Sequence, residues 1–182
     1  MQYHSQEQSY QGTDIQDLIH TWISSEEEHL LRRITSAYNG NGHWEGWVQF
    51  ELEYILNTHP KYENKFTVVT RDVGAYEGND QCPDLILMDN NQRTIVELRC
   101  QRGAAPAELL VNEVTRDRNK LKELLEDNFR PAECIALGIA LTKDAVVAME
   151  NHKEWNEMQW HCFSCANDGI WVFHTGFVVD TR

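Results

Sequence analysis

Two carboxylates and a guanidinium stand together in the stretch "CPDLILMDNNQRTIVELRC", residues 82–100. Asp84 opens one apolar run, Glu97 lies near the end of the next, and Arg99 follows two residues later. Carboxylates brought within a few ångströms repel one another and favour a shared cation. Hard oxygen ligands with space left for water suit Mg²⁺ or Mn²⁺. A cation held there can polarise a phosphoryl oxygen and lower the pKa of a bound water. Each side chain alone also has an ordinary reading. Asp84 can cap a turn, and Glu97 can pair with Arg99 or Arg93. The chemistry therefore depends on the elements that carry these residues.

Leu85–Met88 and Thr94–Leu98 read as strands joined by the polar turn Asp89-Asn90-Asn91-Gln92. Pairing them antiparallel brings Asp84 and Glu97 to one edge of a sheet. Upstream, residues 1–12 read as a flexible arm. Thr13 can cap a helix with Ile15, Leu18, Ile19, Trp22 and Ile23 on one face. "EEEHLLRRITSAY" forms a second helix, acidic first and basic later as the helix dipole favours, and "NGNG" stops it. A third helix runs from about Trp44 to Leu56. Phe66–Thr70 and Val73–Tyr76 are further strand signals. Downstream come a helix over about Ala107–Asp127, a buried strand at Cys134–Leu141 and a short helix capped by Thr142. Gln159–Ser164 and Ile170–His174 are strand-like around the turn "ANDG". This order predicts an α/β fold with a mixed sheet flanked by helices, as one domain over residues 13–182, with an N-terminal helical extension at 13–57.

Pro83-Asp84 followed by Glu97-Leu98-Arg99 resembles the site of the PD-(D/E)XK nuclease superfamily. That family includes restriction endonucleases, Holliday-junction resolvases and RecB-like nucleases. The resemblance spans about Trp44 to Leu141. It implies a restriction-endonuclease-like domain in which Asp84 and Glu97 hold divalent metal. A further Glu often comes from the helix before the sheet. Glu45 meets that description, with Val48, Leu52 and Leu56 marking the inward stripe of its helix; Glu51 and Glu53 are alternatives. The backbone carbonyl of Leu98 can add a ligand. "RDRNKLKELL" resembles the segment in which Asp117 and Lys120 precede a Leu-rich face. One departure stands out, because the family's catalytic lysine position holds Arg99. A guanidinium keeps the charge but not the shape or the proton-handling chemistry of an amine. It can clamp a phosphate or stabilise developing charge. Lys120 is the nearest candidate for a lysine supplied from elsewhere, and Gln101 can line the cleft by strand alternation.

Charge constrains the partners. The chain carries a formal net charge of −13, which repels nucleic-acid phosphates, so binding would need a local basic patch, metal or a partner. Arg116, Arg118, Lys120 and Lys122 form the main basic stretch, readable either as phosphate contacts or as a solvated helix surface. The polar start without an apolar core and the odd count of five cysteines fit a cytoplasmic protein. No run reaches membrane-spanning length. Cys162-Phe-Ser-Cys165 with His161 and His174 could hold zinc; packed or free thiols are the simpler reading. Trp44 could stack on a base or clamp the entry of its helix.

These features lead to an expected metal-dependent nuclease, an endo- or exodeoxyribonuclease that hydrolyses DNA phosphodiesters and plausibly works as a homodimer. Asp84, Glu97 and Glu45 would hold Mg²⁺ or Mn²⁺, and Arg99 or Lys120 would serve the phosphate. The alternative is a catalytically degenerate nuclease fold acting on a protein partner as an acidic binding, regulatory or inhibitory subunit. An accessory protein of a mobile element or of phage defence is compatible with either.

Overall fold

Strand alternation decides the layering. A computed structural model describes residues 15–25, 27–40, 44–62, 65–69, 73–78, 81–89, 92–103, 105–152, 161–165 and 169–181. The expected arm, the Thr13 cap and the "ANDG" turn up to Asp168 lie outside the described residues, as do Trp155 and Trp160. The elements run α1 (Ile15–Ser25), α2 (Glu27–Asn39), α3 (Glu45–Thr58), β1 (Thr67–Val69), β2 (Leu85–Asp89), β3 (Gln92–Cys100), α4 (Ala107–Leu124), a 3₁₀ turn (Asp127–Phe129), β4 (Ala132–Ala140), α5 (Lys143–Glu150), β5 (His161–Cys165) and β6 (Ile170–Val179). The strands form one sheet in the order β1-β2-β3-β4-β6-β5. Among the described strands, β3 and β4 pair in parallel and the other neighbours pair antiparallel. A parallel pair needs a crossover, and α4 supplies it. The fold is thus α/β, with a mixed sheet flanked by helices.

Both faces of the central strands are apolar, as burial on two sides requires. Leu85, Leu87, Val96, Leu98 and Leu137 meet α1, α2 and α3 on one face. Ile95, Ala136, Ala140 and Phe173 meet α4 and α5 on the other. On α3, Val48, Leu52, Ile55 and Leu56 are buried at the spacing of one helix face. Trp47, beside that stripe, packs edge-on against Trp22 with ring centres 6.2 Å apart. Among the described residues, no helix is long and apolar enough to cross a membrane.

Several expected elements differ in extent. Val73–Tyr76 is not a ladder strand. Tyr76 makes a single bridge to Leu125, because β1 already pairs with β2. The segment is instead stitched to the end of α4: Glu77 N–H donates to Leu124 O at 2.7 Å, and Glu126 N–H to Ala75 O at 2.9 Å. That pairing also ends α4 at Leu124 rather than Asp127, since Leu125 turns extended (φ −63°, ψ 126°) to meet Tyr76. β6 continues past His174 to Val179 because β4 pairs with it throughout, from Ala132↔Val179 to Ala140↔Trp171.

The register also leaves one strand end without a neighbour on one side. The β2–β3 hairpin ends at Leu85↔Val96. β3 runs on through Glu97–Cys100, paired on its other side with β4 as far as Cys100↔Ile139. The far end of β3 therefore has a bare edge where β2 has not yet begun, and Asp84 stands there.

Candidate active site

Carboxylates fill the missing ladder partners on that bare edge. Asp84 Oδ2 accepts a hydrogen bond from Leu98 N–H at 2.6 Å. Glu45 Oε2 accepts one from Cys100 N–H at 3.2 Å. A strand residue directs its N–H and C=O to the same edge, so the Leu98 carbonyl faces the Asp84 side. Gln49, one helical turn after Glu45 on α3, donates to Asp84 Oδ1. The first two turns of α3 are thus docked on β2 and β3 through two side chains at i, i+4 spacing.

Strand alternation turns Glu97 and Arg99 toward α4. Glu97 is buried, and its Oε1 receives both the Tyr76 hydroxyl and the Lys120 ammonium, the latter at 2.8 Å. Lys120 Nζ also lies 4.4 Å from the centre of the Tyr76 ring, a cation–π arrangement. Arg99 is held by two acids. Its Nη1 is 2.6 Å from Glu45 Oε1, and its Nε is 2.5 Å from Asp117 Oδ2. Asp117 is buried on α4, and its Oδ1 lies 4.0 Å from Lys120 Nζ. The cleft beside these groups measures about 720 Å³, with Asp84, Glu97, Arg99, Arg116, Asn119 and Lys120 in its lining.

Burial dominates the electrostatics. It pushes the Asp84 carboxyl up to about 8, helped by the Glu97 charge and opposed by the Leu98 N–H and Arg99. Burial likewise raises Glu97, while Lys120 and the Tyr76 hydroxyl pull the other way. Tyr76 is raised by its own burial and by Glu97. Burial also keeps Cys100 a thiol, far above the usual range. The neighbouring cations and donors thus offset only part of the cost of burying Asp84 and Glu97. Such a site favours a further positive charge.

The residues singled out from the sequence separate by role. Asp84, Glu97, Arg99 and Lys120 line one cleft. Glu45 lies beside it, with its carboxylate on Arg99 and the Cys100 N–H. Among the described residues, no three His, Cys, Asp or Glu side chains form a group able to hold a metal ion. Besides Asp84 and Glu97 the cleft is lined by Asp117, which is taken up by Arg99, and by Glu123. Mg²⁺ is commonly bound through one or two carboxylates and keeps several waters, a demand that Asp84 and Glu97 can meet in kind. Glu51 faces Arg33 instead, at 3.8 Å. Gln101 is buried away from the cleft. Its Oε1 accepts from Leu141 N–H at 2.9 Å and Thr142 N–H at 3.2 Å, and its Nε2 donates to Thr142 Oγ1 at 2.8 Å. Trp44 is buried and donates to Gln101 O at 2.8 Å, which anchors the entry to α3. In the basic stretch, Lys120 points into the site, Arg118 covers the Phe177 ring at 5.2 Å, and Arg116 is exposed at the cleft. Cys162 is exposed on β5; the side chains of His161 and Cys165 lie outside the described residues.

Two participants escaped the sequence reading. Gln49 carried a usable signal, since it lies four residues after Glu45. Tyr76 carried none, because only the stitching of residues 73–78 to α4 brings it to Glu97.

Compared with protein-family models, curated proteins and solved structures, the chain matches none of them.

Proposed function

We propose that this protein is a divalent-metal-dependent nuclease that hydrolyses DNA phosphodiesters through a variant PD-(D/E)XK site on a restriction-endonuclease-like domain. The observation that carries the reading is the placement of Lys120. Its ammonium lies 2.8 Å from Glu97 Oε1, in the cleft that Asp84 also lines. An amine from α4 thus stands where the motif position offers only Arg99.

Asp84, Glu97 and the Leu98 carbonyl would hold Mg²⁺ or Mn²⁺. Bound there, the ion would polarise a phosphoryl oxygen and lower the pKa of a coordinated water. Lys120 contributes a compact positive charge beside Glu97, suited to orienting a water and to stabilising charge that develops on the phosphate. Arg116 and Asn119 lie three residues apart on the α4 wall of the cleft, so one helix face can meet the phosphate backbone. Arg116 is the exposed cation of that wall; with Asp117 and Glu123 beside it and −13 on the chain as a whole, phosphate binding would rely on the bound metal as well. Arg99 ties Glu45 to Asp117 and so holds α3 and α4 at the cleft mouth. A cytoplasmic homodimer would allow both strands to be cut.

The test is plasmid nicking and oligonucleotide degradation with Mg²⁺ or Mn²⁺. Wild-type protein cuts, while Asp84→Ala and Glu97→Ala abolish cutting. Undiminished cleavage by both variants would count against this site.

A second reading draws on Arg99, whose guanidinium is occupied by Glu45 and Asp117. With the acidic surface, this suits a degenerate nuclease fold that binds or inhibits a basic partner. In that case no nucleic acid is cut under any metal, and the same two substitutions leave partner affinity unchanged.

A further inference from the structure

We propose that Tyr76 is a positioning residue: together with Lys120 it saturates Oε1 of Glu97 and leaves Oε2 as the one oxygen that Glu97 offers to a divalent cation. The inference rests on the nuclease reading of this cleft and extends it to the way Glu97 binds metal.

Three observations support it. First, Tyr76 is fully buried and its hydroxyl donates to Glu97 Oε1. The Lys120 ammonium reaches the same oxygen at 2.8 Å. A carboxylate oxygen has two lone-pair sites, so two donors fill it. Oε2 has no donor among the described residues. Second, the tyrosine cannot easily move. Its segment is stitched to the end of α4 by Glu77 N–H to Leu124 O and Glu126 N–H to Ala75 O. The helix that carries Lys120 therefore also fixes the backbone that carries Tyr76. Third, the ring lies 4.4 Å from Lys120 Nζ. One side chain thus orients both the acid and the amine that acts beside it. Groups that hydrogen-bond a metal-binding carboxylate commonly set its orientation and the affinity of the site.

Tyr76→Phe separates these roles, because it keeps the ring under Lys120 and removes only the hydroxyl. The experiment is calorimetric titration of wild type and Tyr76→Phe with Mn²⁺ alone, alongside steady-state cleavage of an oligonucleotide and thermal unfolding. The expected result is Mn²⁺ affinity weakened by about tenfold or more, with kcat reduced and KM for the oligonucleotide unchanged. A residue that only fills space would lower the unfolding temperature and leave Mn²⁺ affinity alone. Unchanged or tighter Mn²⁺ binding in Tyr76→Phe overturns the proposal while leaving the nuclease reading intact, provided Asp84→Ala still abolishes cleavage. Absence of any Mn²⁺ binding by wild type overturns both. Should Tyr76→Phe fail to fold, infrared difference spectra of wild type and Glu97→Gln on adding Mg²⁺ decide the matter. A widely split Glu97 carboxylate pair of bands marks single-oxygen binding and supports the proposal; a narrow splitting marks two-oxygen binding and overturns it.

Discussion

Arg99 Nε lies 2.5 Å from Asp117 Oδ2, joining the bare end of β3 to a buried acid on α4. The same guanidinium reaches Glu45 on α3. One side chain therefore ties together helices packed on opposite faces of the sheet. The Arg99 guanidinium is thus engaged by two acids, and under the proposed function the chemistry would fall to the amine of Lys120.

The two partners of Arg99 should differ in their effect on stability. The Asp117 side chain is 3% exposed and that of Glu45 24%. Removing one member of a buried ion pair strands the other charge and costs about 3 kcal/mol or more. A partly solvated acid that also accepts one backbone hydrogen bond contributes about 1–2 kcal/mol. Urea unfolding should accordingly show Asp117→Ala as the larger loss. The reverse order would mean that the α3 side of the bridge carries the load.

Lys120 and Arg99 should separate in kinetics. Lys120→Met is expected to lower kcat by roughly 10²–10³-fold with little change in KM, as for loss of a group that stabilises transition-state charge. Arg99→Lys should cost less than about tenfold in kcat but lower stability, because an ammonium cannot span two carboxylates as a planar fork does. Steady-state rates and unfolding curves on the same samples check this. A larger kcat loss in Arg99→Lys would return the catalytic role to the motif position.

Stability without metal should fall as pH rises. Folded Asp84 holds its proton up to about 8, against an ordinary value of 3.8. Between those values the folded state binds a proton that the unfolded chain has released. Stability from this group is therefore greatest below the lower value, declines through the window and levels off above the upper one. Glu97 is raised too and acts in the same direction. Urea midpoints should drop from about pH 5 to about pH 8, and Asp84→Asn should flatten that slope. Mg²⁺ added at the alkaline end should restore part of the loss, since a ligand of the ionised pair stabilises the folded state. A midpoint that rises over this range would contradict the burial of these acids.

Gly103 should resist replacement. A Cβ built there would lie 2.2 Å from the Tyr38 carbonyl oxygen at the end of α2. That oxygen belongs to helix backbone and cannot swing aside as a side chain can. Gly103→Ala is expected to cost about 1–3 kcal/mol through forced displacement. Thermal unfolding measures the loss, and an unchanged transition would show that α2 shifts freely.

Much of this arrangement was legible beforehand. The runs Leu85–Met88 and Thr94–Leu98 announced a hairpin by their apolar pattern and polar turn, and that pairing necessarily brings Asp84 and Glu97 to one edge. Helix spacing placed Glu45 at the start of α3 near its buried stripe. The opening "GAAPAE" marks the helix that bears Asp117 and Lys120, and the family resemblance singles out those two residues. The misreadings share one cause. Val73–Tyr76 has strand-like residues, but whether it pairs with the sheet or with α4 depends on which partner is already occupied. Gln101 follows the alternation of Glu97 and Arg99, yet the main-chain donors of Leu141 and Thr142 claim it.

The sequence by itself determined which residues could carry charge to one sheet edge, because period-two alternation and hairpin pairing are local consequences of residue order. Only the tertiary structure decided how those charges are used. Glu45 sits with Arg99, Lys120 with Glu97, and Tyr76 beneath both, because the end of β3 outruns β2 and distant side chains must satisfy the groups left bare. Hydrogen-bond and charge satisfaction at a buried edge is a property of everything packed around it, and no single segment encodes it.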